Sequence, residues 1–159
     1  MQGHSYPQHH AHGAGASLDR TALAATLHCL AGCAIGEVLG MVIGTALGWS
    51  NLATIGLAIA LAFVSGYLFT MIPLLRSGLA LGAATRIALA ADTVSITIME
   101  IVDNLVMLVI PGAMNAGLDS LLFWGSLVAA LAIAGVVAYP VNRWLIARGR
   151  GHALAHAHH

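Results

Sequence analysis

The sequence predicts an all-α polytopic membrane protein, with four transmembrane helices arranged as two helical hairpins. Three observations predict it. Four apolar stretches are each long enough to cross a hydrocarbon core of about 30 Å as a helix. Charged residues make up only 8% of the chain and lysine is absent, far below the roughly 25% of a typical soluble domain. All six arginines fall at the termini or between the second and third stretches. By the positive-inside rule this places both termini in the cytoplasm, as an even number of spans requires. The expected location is the bacterial inner membrane.

The elements follow in order. Residues 1–18 read as a disordered cytoplasmic tail, with His4, His9, His10 and His12 among Gly, Gln, Ser and Ala. The tail has no basic n-region and no apolar h-region, so it does not read as a signal peptide. The transmembrane domain is expected over residues 19–146. Span one runs from Thr21 to Gly48, and Trp49-Ser50-Asn51 forms a turn with an interfacial tryptophan. Span two runs from Leu52 to Leu75, with Ser65, Tyr67 and Thr70 as its polar residues and Pro73 near its end. Residues 79–85 read either as a short surface helix or as the start of span three. Span three runs from about Arg86 to Ile110 and is closed by Pro111-Gly112, before a loop at 115–120. Span four runs from Leu121 to about Leu145. A second His-rich cytoplasmic tail, residues 147–159, carries His152, His156, His158 and His159. Such tails could collect a transition metal. Pro73-Leu74-Leu75-Arg76 and Pro140-Val141-Asn142-Arg143 end the two hairpins alike, a faint sign of a parallel repeat.

The chemistry is concentrated in span one, in His28-Cys29-Leu30-Ala31-Gly32-Cys33-Ala34-Ile35-Gly36-Glu37. Ionisable groups at membrane depth are costly and mark functional sites. Cys29, Cys33, Glu37 and Met41 recur every fourth residue and form one helical stripe. Beside it runs Gly32, Gly36, Gly40, Gly44 and Gly48, a small-residue row that lets another helix approach closely in lipid. The two cysteines rule out a disulfide framework. An intrahelical bridge is disfavoured as well, because Cβ atoms four residues apart stand about 5–6 Å from each other and a disulfide needs roughly 3.5–4.5 Å.

Span three carries a second polar stripe: Asp92, Ser95, Met99, Asp103 and Met107, with Glu100 at its edge. Spans one and three run in the same direction. Glu37 and Asp103 each lie 17 residues beyond an arginine, Arg20 and Arg86, about 25 Å at 1.5 Å per residue. If the two spans touch, His28 and Asp92 form an inner layer. Cys29, Cys33, Ser95 and Met99 fill the middle, and Glu37, Glu100 and Asp103 form an outer carboxylate layer. Tyr67 reaches the inner level from span two. Three acids without a basic partner would have to be protonated, share protons or bind a cation.

The first motif, with Met99-Glu100-Ile101-Val102-Asp103-Asn104 and Pro140-Val141-Asn142-Arg143-Trp144-Leu145, resembles a family of small four-span bacterial membrane proteins known only as a domain of unknown function. The resemblance covers roughly residues 21–150. It implies a bacterial inner-membrane protein and no particular activity.

The expected function is therefore argued from the ligand types. Thiol, thioether and imidazole suit Cu(I) or Zn(II), and carboxylates suit harder ions or carry protons. The leading expectation is a transporter or handler of a transition-metal cation, Cu(I) preferred. Its metal residues would be His28, Cys29, Cys33, Glu37, Asp92, Met99, Glu100 and Asp103. A proton-coupled small-molecule exporter is the second reading, because Glu37 early in a four-span chain resembles the small multidrug resistance proteins at that position. A membrane redox or haem protein is a third reading and a scaffold without transport a fourth; no catalytic residue is assigned. The expected partners are the lipid bilayer and a metal ion, and a homo-oligomer is compatible with the pattern. A formal net charge of zero offers no basic surface for nucleic acid.

Overall fold

The computed structural model describes residues 10–149, with side chains from Ala16 onward. Four long helices make up this part of the chain: α1 (His10–Ala46), α2 (Asn51–Arg76), α3 (Leu81–Val109) and α4 (Leu121–Ala147). A single 3₁₀ turn, Ala113–Asn115, sits in the α3–α4 connection. The described residues contain no strand. Helix α1 starts at His10, inside the stretch read from sequence as a disordered tail. The segment from His10 to Arg20 contains no proline, and Gly13 and Gly15 weaken a helix without breaking it. The other tail histidines, His4, His9, His152, His156, His158 and His159, lie outside the described residues. Residues 81–85 belong to α3 itself and not to a separate surface helix.

The helix ends follow from local chemistry. Ser50 caps α2 by accepting from the Ala53 amide, and Ser120 caps α4 by accepting from the Leu122 amide. Gly48 and Gly78 follow α1 and α2 with φ of +65° and +89°, the left-handed conformation in which glycine lets a helix terminate.

Helices α1 and α3 each pack against all three other helices, whereas α2 and α4 flank that central pair and scarcely touch each other. The tightest contact is the antiparallel α1–α2 hairpin. Gly32, Gly36, Gly40 and Gly44 lie against Gly66, Ala62, Ala58 and Thr54. A Cβ placed on Gly32 would stand 2.7 Å from the Gly66 Cα. Backbone therefore meets backbone, and the Ser65 hydroxyl donates across the contact to the Gly32 carbonyl at 2.5 Å. The glycine row is thus the close helix contact that its spacing predicts, with α2 as the partner. On the other flank, Asn142 of α4 donates to the Thr26 hydroxyl of α1 at 2.9 Å, and both side chains are buried.

The polarity of the bundle is reversed relative to a water-soluble protein. Val136 and Val128 are 74% and 65% exposed, while Asp92 and Ser95 are completely buried. In water such an arrangement would expose a continuous apolar surface; in lipid it satisfies both faces. Helix α1 from Ala16, with α2 and α4, is long and apolar enough to cross a membrane. Helix α3, which carries Arg86, Asp92, Glu100 and Asp103, falls outside that group. Trp49 and Trp124 mark one end of the bundle, and Trp144 marks the other, with the Arg148 guanidinium 4.0 Å over its ring. The described arginines all lie toward this second end and are exposed. Arg143 there pairs with Asp19 at 2.5 Å.

Candidate functional site

The polar stripes of α1 and α3 meet in the middle of the bundle. Helical periodicity puts Cys29, Cys33 and Glu37 on the face of α1 beside the glycine row. The same periodicity turns Asp92, Ser95, Met99, Glu100 and Asp103 of α3 toward them. All eight side chains are buried. The result is a polar seam that runs from near the arginine-bearing end toward the opposite end.

At the inner level the Cys29 thiol donates to Asp92 Oδ1 at 3.7 Å. Thr70 of α2 also reaches the Asp92 carboxyl, and Ser95 lies beside Cys29. His28 neighbours Asp92, but its ring turns toward α2 and meets Phe69 edge-on, with centroids 5.3 Å apart. Tyr67 joins α2 to α3 here through a 2.9 Å hydrogen bond with Thr93. In the middle, Met99 packs with Cys29, Cys33, Ile96 and Ala62 in one buried cluster. Both cysteines are free.

The outer level is the most unusual. Glu37 lies beside both Glu100 and Asp103, and Cys33 lies beside Glu100. Both carboxylate oxygens of Glu37 and of Glu100, and Oδ1 of Asp103, are buried, and among the described residues no hydrogen-bond partner reaches them. No described arginine approaches, since all of them are exposed at the helix ends. Three carboxylates facing one another present acceptors to acceptors. They are stable together only if protons lie between them or a cation sits among them. A buried polar atom without a partner requires such an explanation.

The structure brings Glu37, Glu100 and Asp103 together, as the depth count predicts, but it splits the expected thiol layer: Cys29 joins Asp92 at the inner level and Cys33 lies beside Glu37 and Glu100 at the outer one. Met99 lies between the two levels and His28 at the edge. Among the described residues, however, no three or more His, Cys, Asp and Glu side chains are gathered as a ready ligand shell for a metal ion. Two features went unread in the sequence. Thr70 was one of three polar residues in span two; the buried row Ala58, Ala62, Gly66, Thr70 and Leu74 would have singled it out. Asn142 was read only as part of a repeat, although an amide inside an apolar run signals an interhelical hydrogen bond.

Three membrane-length apolar helices and acids turned inward define a helical membrane protein with an ionisable interior. The chain belongs to the family described as Domain of unknown function (DUF4396), whose model matches residues 19–151. No curated protein and no solved structure matches the chain.

Proposed function

We propose that this protein is a four-span protein of the bacterial inner membrane that moves or holds a transition-metal cation along the α1–α3 seam, Cu(I) being favoured. The observation that carries the reading is the set of buried carboxylates, Glu37, Glu100 and Asp103, in which both oxygens of the two glutamates and Oδ1 of Asp103 have no hydrogen-bond partner among the described residues. An ion in transit needs ligands that hold it weakly enough to release it. The absence of a gathered ligand shell among the described residues is therefore compatible with passage. Cys29, Cys33 and Met99 supply soft donors beside the acids, and soft donors favour Cu(I) over the hard cations. Thr70 and Ser95 line the inner level as neutral oxygens.

Helix α3 serves as the fourth span. Ile101, Leu105 and Leu108 on its outer face are 56%, 56% and 64% exposed. Its acids turn inward, so lipid meets hydrocarbon on this helix as on the other three. With four spans and the arginine-bearing end inside, both termini are cytoplasmic. Reporter fusions at the two ends should both give a cytoplasmic signal; a periplasmic signal from either end contradicts the four-span arrangement.

The test of the function is metal content. Protein purified from copper-supplemented cells should carry copper, and Cys29→Ala/Cys33→Ala should lose most of it while remaining folded. Alanine at a buried cysteine removes little volume, so the helix contacts should survive. Metal-free wild-type protein, or a double variant with undiminished copper, contradicts the reading.

A further inference from the structure

We infer that the cleft at the end of the bundle opposite the arginines is a docking site for a soft monovalent cation, Cu(I) or Ag(I), built from the thioethers of Met41, Met107 and Met114. This deepens the proposed cation reading and rests on it for the direction of travel, but it uses residues outside the seam. The cleft has a volume of about 390 Å³ and is lined by α1, α2, the 3₁₀ turn, and the facing ends of α3 and α4. Of the five methionines among the described residues, three line this one cleft. Apolar filling alone does not call for sulfur, since Ile55, Leu118 and Phe123 fill the same wall with hydrocarbon.

The placement follows from the helix repeat. Met41 stands one turn beyond Glu37 on α1, and Met107 one turn beyond Asp103 on α3. Two of the cleft's methionines therefore stand one helical turn from Glu37 and Asp103, whose buried oxygens include ones without a donor among the described residues. Met114 comes from the 3₁₀ turn, and its backbone is held in place: Asn51 Nδ2 donates to the Met114 carbonyl and to Asn115 Oδ1, both at 3.4 Å. This contact ties the start of α2 to the α3–α4 connection, and Met114 packs in the same cluster as Met41 and Met107. Thioethers are neutral, soft and polarizable, and methionine is flexible enough for three sulfurs to converge on one ion. Such a set accepts Cu(I) or Ag(I) and discriminates against Zn(II) and the hard divalent ions. The acids one turn below would draw the positive charge inward.

The experiment uses the full chain in detergent, labelled with ¹³C at the methionine methyl groups. Ag(I) is the probe, as a redox-stable soft cation, and Zn(II) is the control. Ag(I) should shift the methyl signals of Met41, Met107 and Met114 and leave Met71 in place, whereas Zn(II) should leave all three unmoved. Met41→Leu/Met107→Leu/Met114→Leu should lose one bound silver. The single changes Met41→Leu and Met114→Leu, at half-buried positions, should each diminish the shift at the remaining two, and they stand in if the triple variant fails to fold. The chain carrying Cys29→Ala, Cys33→Ala and Glu37→Gln should keep the cleft shifts. Failure of the seam reading shows as copper content unchanged in that chain and leaves the methyl readout intact. Cleft signals that ignore Ag(I), respond equally to Zn(II), or persist with full silver binding in the triple variant overturn the inference.

Discussion

Gly36→Leu should prevent the protein from reaching its packed state. A Cβ on Gly36 would overlap the backbone of Leu61 and Ala62, and one on Gly40 would overlap the backbone of Ala58. No rotamer relieves such a clash, because the obstructing atoms are main chain on both sides. Overpacking a core typically costs about 1–3 kcal/mol where side chains can shift, and here they cannot, so the cost should lie at or above that range. The damage also reaches the seam. Gly36 precedes Glu37, and moving α1 off α2 would carry Cys33 and Glu37 away from α3. Gly56→Leu supplies the comparison, because a Cβ there meets nothing within 4 Å. Thermal unfolding in detergent should show Gly36→Leu and Gly40→Leu strongly destabilised or unfolded, with Gly56→Leu close to wild type. Wild-type melting in the first two would mean that the glycine row faces lipid.

Glu37→Gln should separate fold from function. Glu37 is the acid that touches both of the others, Glu100 and Asp103. The amide keeps the shape and adds two N–H donors, and the facing carboxylates can accept from them. The bundle should remain folded. Cation binding should weaken, because one anionic ligand has been removed from a site with no arginine. It should also lose part of its pH dependence. A cation competes with protons for the carboxylates, so wild-type binding should strengthen as pH rises. The groups that face Glu37 are Glu100 and Asp103 from α3, with Cys33 on its own helix. Equilibrium Cu(I) binding measured across neutral pH should be steeper for wild type than for Glu37→Gln. Equal slopes and equal affinities would assign the acids a purely structural role.

The parts of this protein set by local pattern were legible in its sequence, and the parts set by three-dimensional neighbours were not. The glycine repeat from Gly32 to Gly44 announced a close contact, since only small residues at that spacing permit one. It could not say that α2 supplies the other side, because Ala58, Ala62 and Gly66 look like ordinary members of an apolar helix. Counting from Arg20 and Arg86 matched Glu37 with Asp103, because the rise per residue is the same in every α-helix. The count says nothing of ring orientation, and the ring of His28 turns toward Phe69 of α2. The methionine cleft stayed hidden for a related reason: Met41, Met107 and Met114 come from two helices and a turn, and no spacing along the chain connects them. The start of α1 at His10 shows the opposite limit, where a polar, glycine-containing composition reads as disorder although the helix runs on without a proline to stop it.

The central claim is that the buried carboxylates exchange protons for a cation. Calorimetric titration of the detergent-solubilised protein with Cu(I), repeated in buffers of different ionisation enthalpy, counts the protons released per ion bound. The account predicts Cu(I) binding with net proton release in wild type, and fewer protons released by Glu37→Gln. A wild-type protein that binds no cation, or a Glu37→Gln protein that binds with the same proton count, would contradict it.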